Sequence, residues 1–380
     1  MPSVYINTGR KALTDLPPRD PKVRSFHESL PHYRPTPLAA LPEIAQQLGI
    51  QHLLVKDESS RLGLTAFKIL GASWATAKAV AKRVGLKSTG VGSREDLENE
   101  LSLKNLASVA QAAELVLYAA TDGNHGRAVG RMAKYLGIKA RIFVPTMVDE
   151  EAKSKITSEG ATVEVINGDY DQTVLDTKLA AEEHEGGKGL LISDTALEVD
   201  DEIPQWIVEG YQTMFDEIEE QILEATGQQT ITHVVAPVGA GSLSSAVVTH
   251  FERTSRSTKP TIVTVEPESA ACLKASLEIG KMASVHATFT ICTGMCCGTL
   301  SASVWPILKD GVSVAMTVHD GEVDEAIHLL QKYGIYAGPC GAASLAAIRK
   351  LARVEGIQLS PNSVIVIFCT EGERGYQMQI

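Results

Sequence analysis

Along most of the chain, short apolar runs rich in β-branched residues alternate with longer stretches whose apolar positions recur every three or four residues. "HLLVK" (52–56), "LVLYAAT" (115–121), "KARIFV" (139–144), "TVEVI" (162–166) and "LLIS" (190–193) predict strands. So do "THVVAPV" (232–238), "TIVTVE" (261–266), "VSVAMTV" (312–318) and "SVIVIF" (363–368). Helical spacing predicts helices over 67–83, 124–136, 149–158, 170–184, 203–225, 241–255, 320–333 and 341–353. Gly137 follows the second of these as a stop signal. This alternation predicts an α/β fold with mostly parallel twisted sheets flanked by helices. In such sheets ligands gather at the carboxyl ends of strands. Three segments stand there: "ATDGNHG" (120–126), "PVGAGSLSS" (237–245) and "CTEG" (369–372).

Composition narrows the picture. A chain of 380 residues exceeds the usual single-domain size and predicts two lobes. Residues 85–106 are polar and contain glycine and serine, which predicts a surface insertion. The formal charge of −11 carries no basic block, so nucleic acid and anionic membrane are poor partners. The first residues lack an apolar secretory segment, and no run of about 18 apolar residues predicts a membrane span. Six cysteines in a chain this long form no disulfide framework, which places the expected protein in the cytoplasm with mostly reduced thiols.

Candidate chemistry sits in four places. Lys68 opens an apolar, small-residue helix in "GLTAFKILGASW" (63–74). It reads either as a snorkelling lysine or as a desolvated amine of lowered pKa suited to Schiff-base chemistry. "VGAGSL" (238–243) joins a strand to a helix; it is a phosphate cradle or a plain glycine turn. Glu266, at the end of the next strand, stands where a dinucleotide site would bind ribose, but the third glycine of that pattern is absent. "TDGNHG" (121–126) is either an Asx-type helix cap or a loop holding a small carboxylate, with Asp122 available for proton transfer. "CTGMCCG" (292–298), with His286, matches no standard zinc spacing, and no metal is expected.

An amine, a phosphate cradle and a carboxylate-binding turn together describe a pyridoxal-phosphate site. Their order resembles the fold-type II enzymes that use this cofactor. Within them the chain resembles the diaminopropionate ammonia-lyases through "RLGLTAFK" (61–68), "ATDGNHGR" (120–127) and "DTALEVDDEIPQWIVEGYQTM" (194–214). "VEP" (265–267), "CG" (297–298) and "CTEG" match as well. The resemblance implies a larger cofactor-binding lobe of 1–61 and 188–380, a smaller lobe of 62–187, and a homodimer. It implies Lys68 as the Schiff-base lysine, with Phe67 packing on the cofactor ring and Asn124 at the ring oxygen. Thr370 would face the pyridine nitrogen, and Val238, Gly239, Ala240, Gly241 and Ser242 would hold the phosphate. Asp122 and Asp194 match acids that abstract the Cα proton, and Thr121 with the turn amides would hold the substrate carboxylate.

The implied reaction is α,β-elimination of ammonia from 2,3-diaminopropionate or a related β-substituted amino acid, giving a 2-oxo acid and ammonia. A serine or threonine dehydratase, a β-replacement synthase and a non-catalytic relative stand as other expectations. One departure bears on this choice. The family's "WEGY" is "LEVD" at 197–200, which is either a changed pocket wall or a polar surface turn.

Overall fold

Residues 3–14, 16–86, 100–168, 170–253, 259–354 and 359–378 are described in the computed structural model, so most of the expected insertion at 85–106 lies outside them. The described strands are β1 (Val4–Ile6), β2 (Leu38–Ala40), β3 (His52–Asp57), β4 (Val116–Ala120), β5 (Lys139–Pro145) and β6 (Thr162–Ile166). They continue with β7 (Gly189–Leu191), β8 (His233–Pro237), β9 (Thr261–Pro267), β10 (Val314–Val318) and β11 (Val364–Cys369). Seven form one sheet in the order β1-β10-β9-β8-β11-β3-β2. Its two edge pairs are antiparallel and all inner pairs parallel. The other four form a parallel sheet, β6-β5-β4-β7. The inner strands β9 and β11 are buried on both faces, which is why β11 reads as a continuous apolar run. β7 pairs within the smaller sheet although it lies just past the expected lobe boundary at 187.

One apolar core joins the two sheets. It includes Leu117 and Ile142 of the smaller sheet, Val234 and Phe368 of the larger, and Trp74 of the Lys68–Arg83 helix. That helix lies against Glu202–Gly210 at very short range. A Cβ on Gly71 would stand 2.8 Å from the Ile207 carbonyl oxygen, and one on Gly210 would stand 2.5 Å from that of Leu70. Small residues in the lysine helix therefore serve close helix packing. The single helix expected over 203–225 is two, Glu202–Gly210 and Gln212–Thr226. At the junction the bonds tighten to i→i−3, from Tyr211 N–H to Val208 and from Met214 N–H to Tyr211. His27 pins the arrangement. Its ring nitrogens lie 2.7 Å from Thr213 Oγ1 and 3.0 Å from Leu70 O, and burial lowers its pKa to about 3.

A fully buried ionic cluster underlies this corner. Arg61 bonds Glu58 (2.6 Å) and Glu217 (2.6 Å), and Lys56 bonds Glu217 (2.7 Å). Two cations meet two carboxylates, and Thr36 Oγ1 donates to Glu58 at 2.6 Å. Removing one member leaves an uncompensated buried charge. Arg61→Met is therefore expected to destabilise by about 3–5 kcal/mol in chemical denaturation. Burial pushes the Glu217 carboxyl up, but Arg61 and Lys56 overcome it and bring its pKa to about 2, below the ordinary 4.5. A depressed carboxylate stabilises the fold above about pH 4.5, and that stabilisation is lost as pH falls toward 2. Glu217→Gln should flatten the acid unfolding curve in that window.

Candidate active site

The carboxyl ends of β4, β8 and β11 and the start of the lysine helix converge on a cavity of about 150 Å³. Phe67, Lys68, Thr121, Asp122, Asn124 and Asp194 line one part of it, and Gly239, Ala240, Gly241, Ser242 and Thr370 another. Residues from positions 67 to 374 thus meet in one site.

Lys68 Nζ donates to Asp194 Oδ2, and its side chain is 25% exposed against 9% for Asp194. This overturns the expectation of a lowered lysine pKa. Burial does act to lower it, but the Asp194 carboxylate outweighs burial and raises it above the ordinary value. Burial likewise pushes the Asp194 carboxyl up, and the Lys68 cation with its hydrogen bond reverses this and holds it well below the usual range. Asp122 is different. Burial and then the neighbouring Asp194 charge raise it to about 7, with Lys68 opposing. Two carboxylates in one cavity are therefore split, one permanently ionised and one poised near neutrality.

The turn after β4 is built around Thr121. Its hydroxyl oxygen accepts from the Gly123 N–H (2.9 Å) and the Gly126 N–H (3.0 Å). A Cβ on Gly126 would stand 2.4 Å from Thr121 Cγ2, so this close approach needs glycine. Asn124 donates its amide to Glu371 Oε2 at 2.8 Å, and Arg374 holds the other Glu371 oxygen at 3.2 Å. The Phe67 ring packs 4.9 Å from that of Tyr211. Thr370 is buried at the end of β11, and its carbonyl accepts from the Phe67 N–H at 3.2 Å.

The glycine loop fits a phosphate. The N–H groups of Gly239, Ala240, Gly241 and Ser242 have no acceptor among the described residues, and they open the Ser242–Arg253 helix. A Cβ on Gly239 would stand 2.9 Å from the Gly294 carbonyl oxygen, and Gly241 has φ +97°. Ser242 Oγ donates to the Asp194 backbone carbonyl at 2.9 Å, tying the loop to the lysine's partner. Val238 is the exception. Its N–H is spent on Val265 O at 2.9 Å and it lies off the cavity wall, so the cradle begins at Gly239. Gly239→Ala is expected to weaken cofactor binding at least about tenfold, the scale of an overpacked contact, in an absorbance titration.

Two further readings are settled by geometry. Both Glu266 oxygens accept backbone N–H groups, from Leu273 (2.7 Å) and Lys274 (2.8 Å), so this acid caps a helix. Residues 197–200 are exposed, Leu197 at 41%, and Asp201 closes the turn by accepting from the Leu197 N–H at 2.9 Å. They lie off the cavity, which favours the surface turn of the two expected readings over the pocket wall. Sequence reasoning missed Tyr170, Tyr211, Cys297, Glu371 and Arg374 on the wall. Tyr211, Cys297 and Glu371 fall inside matched segments; nothing local marked Tyr170.

A lysine beside a permanently ionised acid, opposite a neutral-poised acid and a glycine anion cradle, is the equipment of a pyridoxal-phosphate enzyme. The sequence matches the family described as pyridoxal-phosphate dependent enzyme over residues 29–371. It is 32% identical to diaminopropionate ammonia-lyase of Escherichia coli K12 over 363 residues, 92% of this chain and 87% of that one. Identity to the Salmonella typhimurium enzyme of that name is 34% over 304 residues, covering 79% and 72%. The crystal structure of the E. coli enzyme in complex with an aminoacrylate-PLP azomethine reaction intermediate superposes with TM-score 0.81 at 29% identity, covering 97% and 93%. The chain belongs to the fold-type II pyridoxal-phosphate-dependent enzymes, and within them to the diaminopropionate ammonia-lyase family.

Proposed function

We propose that the chain eliminates ammonia from 2,3-diaminopropionate, and that water then hydrolyses the released enamine to pyruvate and a second ammonia. The observation that carries this reading is that the Lys68–Asp194 pair, Asp122 and the free amides of 239–242 line one cavity. Bound pyridoxal phosphate supplies an electron sink for the pair left at Cα. The 239–242 amides would hold its phosphate, Lys68 would bond its carbonyl carbon, Asn124 would meet its ring oxygen, and Phe67 and Thr370 would contact its ring. Thr121 and the turn amides orient the substrate carboxylate. Lys68, released from Asp194, takes or returns a proton at Cα. Asp122, near neutrality, serves as the second base, and Asp194 holds the lysine charge until substrate arrives. Thr370 is a neutral hydroxyl, and a partner that leaves the ring nitrogen unprotonated favours elimination over transamination.

A homodimer in the cytoplasm belongs to the same proposal, as does a two-lobe division with the smaller lobe at 62–187 extended through β7. Purified protein incubated with each enantiomer of diaminopropionate and serine, with and without an added thiol, tests the reaction. The expected outcome is 2-oxo acid from diaminopropionate, two ammonia per pyruvate, and no thiol adduct. A thiol adduct would place the chain among β-replacement enzymes. Faster turnover of serine would make it a dehydratase.

A further inference from the structure

We infer that His125 is a specificity residue whose Nδ1 accepts a hydrogen bond from the second, β-ammonium group of the substrate. The inference rests on the diaminopropionate reading and deepens it. His125 Nε2 lies 2.8 Å from the Ile192 carbonyl oxygen. A carbonyl only accepts, so Nε2 carries the ring proton. Burial lowers the ring's pKa, which keeps it neutral and leaves Nδ1 a bare lone pair. The residue is 3% exposed, and Nδ1 has no hydrogen-bond partner among the described residues. It stands on the cavity wall, 3.9 Å from Asp194 Oδ2.

Two acceptors therefore face each other with no donor between them that serves both. Lys68 satisfies Asp194 and leaves His125 unmet. A buried acceptor without a donor is a cost that a ligand of the right chemistry removes. That chemistry is a small group with several N–H donors and a positive charge. An alkylammonium reaches Asp194 and His125 together. A hydroxyl has one donor and serves only one of them, and a methyl group serves neither.

The same arrangement suits the leaving group. When the Cβ–N bond breaks, its electron pair goes to nitrogen, so an ammonium departs as ammonia with no added proton. A β-hydroxyl must gain a proton to depart as water. An imidazole that presents a lone pair offers none, so His125 helps hold the first group and does nothing to expel the second.

The two ring nitrogens separate a structural task from a ligand task. His125→Gln places a side-chain amide where Nε2 donates to Ile192 and removes the acceptor at Nδ1. His125→Asn keeps a polar atom at the Nδ1 position and gives up the Ile192 bond. Absorbance titrations of each holoenzyme with 2,3-diaminopropionate, serine and alanine give dissociation constants, and parallel assays follow ammonia. His125→Gln is expected to keep its cofactor and its affinity for alanine, to weaken diaminopropionate at least tenfold, and to shift serine much less. His125→Asn should stay closer to wild type in the diaminopropionate-to-alanine ratio. A Gln variant that binds diaminopropionate like wild type overturns the inference. So does one that weakens all three ligands equally or loses the cofactor, because the ring would then be structural. If wild type binds diaminopropionate but releases no ammonia, the proposed reaction fails while the binding ratios still judge His125. Wild type that binds diaminopropionate no better than alanine overturns both.

Discussion

Lys68→Ala is expected to lower turnover by at least about 10⁴-fold, the upper end of what a positioned acid or base alone supplies. The effect is this large because one amine has two tasks, nucleophile toward the cofactor and base toward the substrate. The other lysine on the wall, Lys155, is bonded to Glu151 at 2.6 Å and does not replace it. Lys68→Arg should be nearly as inactive. It keeps the charge beside Asp194, but a guanidinium stays protonated and is no nucleophile. The two variants therefore separate chemistry from electrostatics. The alanine variant also leaves Asp194, 9% exposed, without its cation, so it should unfold at lower temperature than the arginine variant. Steady-state rates, the visible band of the cofactor adduct, borohydride fixation and thermal melts are the measurements. An alanine variant with more than about one hundredth of wild-type turnover would remove Lys68 from the mechanism.

Local pattern made most of the fold legible. β-branched runs became parallel strands, and the Asn124–Leu136 helix ends at Gly137, whose φ of 66° is the left-handed cap expected there. The lysine, the turn and the glycine loop were readable because each is a short segment with its own chemistry. Their electrostatics were not. The partner that reverses the expected pKa of Lys68 is 126 positions away, and Asn124 and Glu371 are 247 apart. Spacing carries no record of such pairings. Val238 failed for a related reason: a strand register, with its N–H on Val265, decides which loop amide is free. The Tyr211 junction was hidden because the apolar period runs across it unbroken, while the bonds change to i→i−3. At 197–200 a family departure suggested a change of specificity, and exposure makes it a surface turn.

Asp122→Asn and Asp194→Asn should retain cofactor yet lose elimination unequally, by about 10²–10⁴-fold for the enantiomer whose proton Asp122, or the Lys68 that Asp194 holds, removes. The two substitutions act differently because the two carboxylates are held in opposite states. Burial and the Asp194 charge bring Asp122 to about pH 7. A base works only when deprotonated, so kcat/KM for its enantiomer should rise with pH through about 7 and level off above it. In Asp122→Asn that limb should vanish. Asp194 is ionised throughout the working range, because the Lys68 cation holds its pKa far down, so it contributes no such limb. Its removal acts through the lysine. Without the carboxylate, the largest influence that raises the Lys68 pKa is gone and burial acts to pull it down, so the amine is neutral at lower pH than in wild type. Asp194→Asn should therefore shift the pH dependence of adduct formation with the cofactor downward, a change Asp122→Asn does not produce. Rates on both enantiomers across pH 5–9 for wild type and the two variants decide the matter. If both variants keep wild-type rates and pH profiles on each enantiomer, neither acid is a base and Lys68 alone moves the proton.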